Sequence, residues 1–136
     1  MNVHDVMTEV ATALATIGTL TGRTYPYNAN RVTPPAAVVD LPESVDYDQT
    51  YGRGADMIKL PFFVVISNIN DATASTALGG YLSGSGATSV KQHVEAYAYT
   101  ACDSVVVTHA EVAVMTIAAS QYLGAMFDAE VFGKGA

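Results

Sequence analysis

The side chains that could do chemistry in this sequence are few and widely spaced. His4, His93 and His109 are its three histidines. None falls in a His-x-x-x-His or His-Glu-x-x-His interval, the spacings that put two metal ligands on one helical face. His109 and Glu111 lie two apart in a strand-like run, so simple alternation places them on one face. A carboxylate there could orient a general base, and the same spacing fits a solvated or interfacial pair. Cys102 is the only cysteine, which excludes an internal disulfide and a multi-cysteine zinc site; with no activating pattern beside it, it reads as a packed thiol. Glu43, Asp46, Asp48 and Asp56 crowd together without the order of a calcium loop, and read as a solvated charged face. Gly79-Gly80 and Gly84-Ser85-Gly86 do not stand between a strand and a helix as a phosphate cradle must, and no Gly-Lys-Ser/Thr follows them. They read as a helix end and a turn. A Gly-x-Ser-x-Gly nucleophile elbow is also missing. The expectation is a chain with no catalytic, metal or cofactor site.

Charge narrows the class of partner. Thirteen acidic residues against six basic ones give a net charge of −7. The basic residues Arg23, Arg31, Arg53, Lys59, Lys91 and Lys134 are scattered, which disfavours holding nucleic acid by its phosphates. An acidic surface can still face DNA that only has to slide past it. The eight tyrosines lack the basic interleaving of a base-stacking platform and suit sheet edges or an interface. Half the residues are hydrophobic, yet no run approaches the ~20 apolar residues of a membrane span. The start is polar and lacks the basic and apolar regions of a secretory signal, so the chain is expected to be soluble and to stay where it is made, in the cytosol.

The elements that must position these groups follow from periodicity. Val3, Val6, Met7, Val10, Leu14 and Ile17 recur at intervals of three and four, predicting a helix over residues 3–17 capped by Asn2 and stopped by Gly18. An irregular stretch rich in Gly, Pro and Asn follows, then a short buried strand from Ala36 to Leu41, closed by Pro42. Residues 44–51 and 56–67 read as the arms of a β-hairpin reversing at Gly52-Arg53-Gly54. In the second arm Ile58, Leu60, Phe62, Val64 and Ile66 form the core face, and Pro61 requires an edge, a bulge or a position whose amide points outward. Two helical pieces are predicted, 71–82 with Asp71 as N-cap and 89–97, then strands over 104–116 and 121–132. The last strand turns Leu123, Ala125, Phe127, Ala129 and Val131 to the core, and Tyr122, Asp128 and Glu130 to water. This order predicts one α+β domain over residues 1–136, with a mostly antiparallel sheet and helices packed on one face.

Three stretches taken together carry a resemblance. They are the opening helix Val3 to Ile17, the run Thr33-Pro34-Pro35-Ala36-Ala37-Val38-Val39 leading into Asp46-Tyr47-Asp48-Gln49-Thr50-Tyr51-Gly52-Arg53-Gly54-Ala55-Asp56, and the late strand Ile117 to Phe132. Over nearly its whole length the chain resembles the tail terminator proteins of long, non-contractile-tailed (siphovirus) bacteriophages, with the Tyr-Gly-Arg-Gly-x-Asp hairpin as the most specific part. The resemblance implies a non-enzymatic virion protein. Assembled in the host cytoplasm, it would form a homo-hexameric ring at the head-proximal end of the tail tube, stop tube polymerisation and join the tail to the head connector, with DNA passing through unbound. On that reading Thr50, Tyr51, Gly52, Arg53, Gly54 and Asp56 form an inter-subunit or tube-contacting arm. Arg53 is the residue best suited to a bidentate bond with a neighbour's carboxylate. Asp128 and Glu130 are the candidate channel lining.

Two other readings stay open on the residues alone. A head-completion or neck protein of the same virion would share the small size, the acidity and the ring. A small-ligand or enzymatic α+β domain would need a pocket with convergent polar groups, for which His109, Glu111 and Cys102 are the available set.

Overall fold

The alternation of residues 58–66 sets the architecture: Ile58, Leu60, Phe62 and Val64 are at most 1% exposed and Ile66 5%, so one face of this strand is continuous core. The structure is a computed structural model and describes residues 2–20, 24–25, 35–47, 55–68, 74–117 and 120–134. Its elements in chain order are α1 (Val3–Ala15), β1 (Thr24–Tyr25), β2 (Ala36–Val39), β3 (Ser44–Asp46), β4 (Ala55–Asn68), α2 (Ala74–Leu82), α3 (Val90–Ala96), β5 (Ser104–Ile117) and β6 (Ser120–Lys134). The strands form one sheet in the order β1-β2-β4-β6-β5, with β3 pairing on β4 beside β2. Every pairing is antiparallel except β1 on β2. The α+β class with a mostly antiparallel sheet is as expected.

All three helices pack on one face of this sheet. Val6, Val10 and Leu14 of α1, Tyr81 of α2, and Val90 and Val94 of α3 share one buried cluster with the even positions of β4 and with Ala125, Phe127, Ala129 and Val131 of β6. At its centre Phe62 and Phe127 stack with centroids 5.2 Å apart and planes 7° from parallel. The opposite face is not uniformly wet: Ala36, Val38 and Val65 form a second buried cluster, with Phe63 and Tyr122 packed against it.

Pro61 lies inside a central strand, and the register explains how. The Pro61 carbonyl accepts from the Asp40 amide (3.1 Å) and the Lys59 carbonyl from the Glu43 amide (2.9 Å), so odd positions of β4 aim their polar groups away from β6. On that side β2 ends opposite Phe62 and β3 begins opposite Lys59. Pro61 occupies the seam between two partner strands, where no amide is needed.

Several boundaries differ from the sequence reading. The α1 helix ends at Ala15 with Thr16 as its cap, rather than running to Ile17. Thr16, Ile17 and Leu20 then bond three residues back, a tightened turn that buries Ile17 and Leu20 completely. The Asn2 cap is present, its Oδ1 accepting from the Asp5 amide at 3.2 Å. Strand β2 stops at Val39 instead of Leu41, because the Asp40 carboxylate accepts the Leu41 amide (2.8 Å) and turns the chain, leaving Leu41 54% exposed. Thr24 and Tyr25, read as irregular, add a short parallel strand. The second helical piece begins at Val90, with Ser89 as its cap accepting from the Gln92 amide at 3.2 Å, and Gly86 ahead of it takes φ +123°. The proposed Asp71 cap lies outside the described residues.

Phe62→Ala is expected to lose about 3–5 kcal/mol of stability, since it empties the middle of the core and removes the Phe127 stack. Urea unfolding monitored by circular dichroism measures this, and a loss under about 1 kcal/mol would show that the pair is not the core's centre.

Candidate assembly interface

The elements around β5 determine what the sheet can bind. β5 is the outermost strand on its side, paired only with β6 among the described residues. Its register slips between Val107 and His109, making Thr108 the extra residue of a bulge, and the Thr108 hydroxyl donates to the Asp128 carbonyl at 3.2 Å. Before the bulge Val105 and Val107 face the core; after it Val112 and Val114, opposite Ala125 and Leu123, take that face.

The bulge divides a guarded half of the edge from an open one. Lys91 and Glu95 of α3 form an i,i+4 ion pair. The Lys91 Nζ also donates to the Val107 carbonyl (3.2 Å), and the Val107 amide donates to Glu95 Oε2 (3.0 Å). Both outward backbone groups of Val107 are thereby occupied, and no further strand can pair there. Beyond Thr108 no such cover is seen among the described residues: Val112 and Val114 are 54% and 53% exposed although they lie on the helix-side face. An open strand edge with apolar side chains accepts another strand through main-chain hydrogen bonds.

A second feature ties α1 to the segment entering β5. The Glu9 carboxylate accepts from the Thr100 amide (3.0 Å), the Thr100 hydroxyl (2.5 Å) and the Ala101 amide (2.9 Å). Burial works against its ionisation, but the hydrogen bonds from Thr100 and Ala101 outweigh it and hold the carboxyl below its ordinary value. Close by, burial together with Glu9 and Asp103 pushes the Cys102 thiol up to about 11, leaving it protonated and a poor nucleophile.

The residues singled out from the sequence land in different places. Thr50, Tyr51, Gly52, Arg53 and Gly54 lie outside the described residues. Asp56, read as part of a solvated charged face, is instead 8% exposed at the start of β4, opposite Gly133. Asp128 is exposed and Glu130 half-buried on the face away from the helices. They line a cleft of ≈ 240 Å³ with Glu43, Lys59, Thr108 and His109. Lys59 pairs directly across from Glu130, and Asp128 across from His109, so an ammonium and an imidazole each stand opposite a carboxylate there. His109 and Glu111 do share a face, Nε2 to Oε1 at 3.5 Å, and both are well exposed. Cys102 does not join them, being packed in the helix-side core. Among the described residues, no three His, Cys, Asp or Glu side chains are grouped to hold a metal, and no helix is long and apolar enough to cross a membrane.

The Lys91–Glu95 guard was not identified from the sequence: the i,i+4 spacing was visible, but not its target on β5. The bulge did leave a signal, because the valines change parity between Val105, Val107 and Val112, Val114. No protein-family model matches this chain, and no curated protein matches it.

Because the folded Glu9 value is lowered, its stabilising contribution is complete above the ordinary value of 4.5 and disappears as pH falls through the folded value. Glu9→Gln is expected to be less stable than wild type at neutral pH, with the gap closing on acidification below that value. Thermal melts across this range test it, and a gap that does not change with pH would refute the assignment.

Proposed function

We propose that this chain is a structural protein of a bacteriophage virion: the tail terminator, which forms a hexameric ring at the head-proximal end of a long, non-contractile tail, stops tube growth and joins tail to head. The observation that carries this reading is the β3–β4 hairpin. Its arms pair Val45 with Ile58 and Asp46 with Met57, so the Tyr51-Gly52-Arg53-Gly54-Ala55-Asp56 run spans the hairpin connection and the first residues of β4. On this reading that run is the inter-subunit or tube-contacting arm. The open half of β5 supports the same reading, since a ring component must offer a surface to its neighbours.

The face away from the helices suits a channel. Glu43, Asp128 and Glu130 outnumber Lys59 there, and a carboxylate-rich wall repels the DNA backbone, letting the duplex pass without being held. The partners are further copies of the chain, the tube protein on one side and the head connector on the other. Arg53 is the arm residue assigned to a carboxylate of a neighbouring subunit or of the tube.

Electron microscopy of particles made without this protein tests the reading. Tubes that overgrow their normal length support a terminator; tails of normal length left unattached to heads would assign the chain to the neck instead. Arg53→Glu is expected to leave the monomer folded and to block ring or tail assembly, so normal infectious particles from that variant would remove Arg53 from the arm.

A further inference from the structure

The connection between α3 and β5, residues 97–103, belongs to neither a helix nor a strand, so other bonds have to fix its path. Its two ends are held by their neighbours. Near the first, the Tyr99 hydroxyl donates to the Val94 carbonyl at 2.6 Å and the side chain packs against the helix-side core. At the second, the Asp103 amide donates to the Phe132 carbonyl at 2.8 Å, where the β5–β6 ladder begins. Between these points Thr100 and Ala101 give their amides to one side chain, Glu9 of α1, and among the described residues neither amide has another partner.

Both carboxylate oxygens are used. Oε1 accepts from the Thr100 amide and hydroxyl, and Oε2 from the Ala101 amide. Every partner is a donor, so a carboxylate satisfies them together, whereas a carboxamide would turn an N–H toward an N–H. An open hollow of ≈ 370 Å³, lined by Asp5, Thr8, Glu9, Thr100 and Ala101, brings water up to the contact, and water can therefore take over these bonds when they break. Beneath the connection lies Cys102, a free thiol 7% exposed in the helix-side cluster, with Tyr99 and Ala101 packed against that cluster on either side of Thr100. Glu9 and Tyr99 both lie close enough to Cys102 to interact with it electrostatically. A segment fixed at its ends and held in the middle by one hydrated side chain opens at a lower free energy than the whole fold.

We infer that Glu9 is a catch: when its hydrogen bonds to Thr100 and Ala101 break, the connection lifts off α1 between its two fixed ends and uncovers the Cys102 thiol, while the sheet stays folded. The device belongs to the folded subunit and stands whether or not the chain forms a ring. Glu9 acts by positioning backbone, and the thiol reports the opening without taking part in chemistry.

Amide hydrogen exchange and thiol labelling test this, each measured without urea and in mild urea well below the unfolding transition. Glu9→Gln is expected to speed exchange at Thr100 and Ala101, and labelling of Cys102 by a pyridyl disulfide, by at least about tenfold. Labelling rates are divided by the thiolate fraction read from ultraviolet absorbance, because losing the Glu9 charge also eases thiol ionisation. Both rates are expected to be flat in urea, since a local opening exposes little surface. Thr100→Val removes the hydroxyl bond, keeps both amides and is expected to move the same rates in the same direction by less, which keeps the inference testable if circular dichroism shows Glu9→Gln poorly folded. Labelling that climbs with urea in step with exchange at Phe62 and Phe127 would make global unfolding the route to the thiol and overturn the inference. Rates that both variants leave unchanged would overturn it too, as would wild-type Cys102 labelling at the speed of the unfolded chain.

Discussion

The structure depends on the two-sided pairing of β4. A strand with neighbours on both sides has to satisfy its backbone everywhere, and a proline within it removes one donor. This chain meets that constraint by splitting the neighbouring layer: β2 and β3 pair with successive parts of β4, and Pro61 falls at the break between them. The break is closed by the Asp40 and Glu43 amides, which bond the carbonyls of Pro61 and Lys59. With β4 fixed, its even face has only one place to go, and the helices cover it.

The other anchors act where the sheet alone would leave segments loose. Glu9 reaches from α1 to the backbone of Thr100 and Ala101, so the first helix sets the path by which the chain enters β5. Tyr99 adds to this by donating its hydroxyl to the Val94 carbonyl at 2.6 Å and meeting the Tyr97 ring edge-on at 5.0 Å. Held in this way, β5 starts under the cover of α3 and leaves it at the bulge. The position of the open edge is thus a consequence of where the helices end.

The readable parts of the fold were those governed by a single period. The alternation from Ile58 to Ile66 and the threes and fours from Val3 to Leu14 each named their buried face, and Asn2 marked a helix start by cap chemistry. What stayed hidden depended on residues distant in sequence. Two residues, Thr24 and Tyr25, carry no period, and their parallel pairing with β2 is set by that strand. Asp56, buried at the start of β4, pairs with Gly133 of β6, more than seventy positions away in the chain. His109 and Glu111 were placed on one face by alternation, but the acidic cleft beside them needs β4 and β6 in register to form.

The uneven treatment of β5 bears on what the edge is for. An unpaired strand edge invites uncontrolled association, and proteins blunt it with charges, bulges or cover. Here all three devices occur, but they are gathered around Val107 and Thr108: an ion pair occupying both backbone groups, a bulge, and a helix above. The following stretch keeps a regular ladder with β6 through to Ile117 and exposes valines on its core-side face. Protection that stops partway along one strand limits where a second strand can join and how far the joint extends. An edge restricted in this way specifies a register, and a specified register is what distinguishes assembly from aggregation.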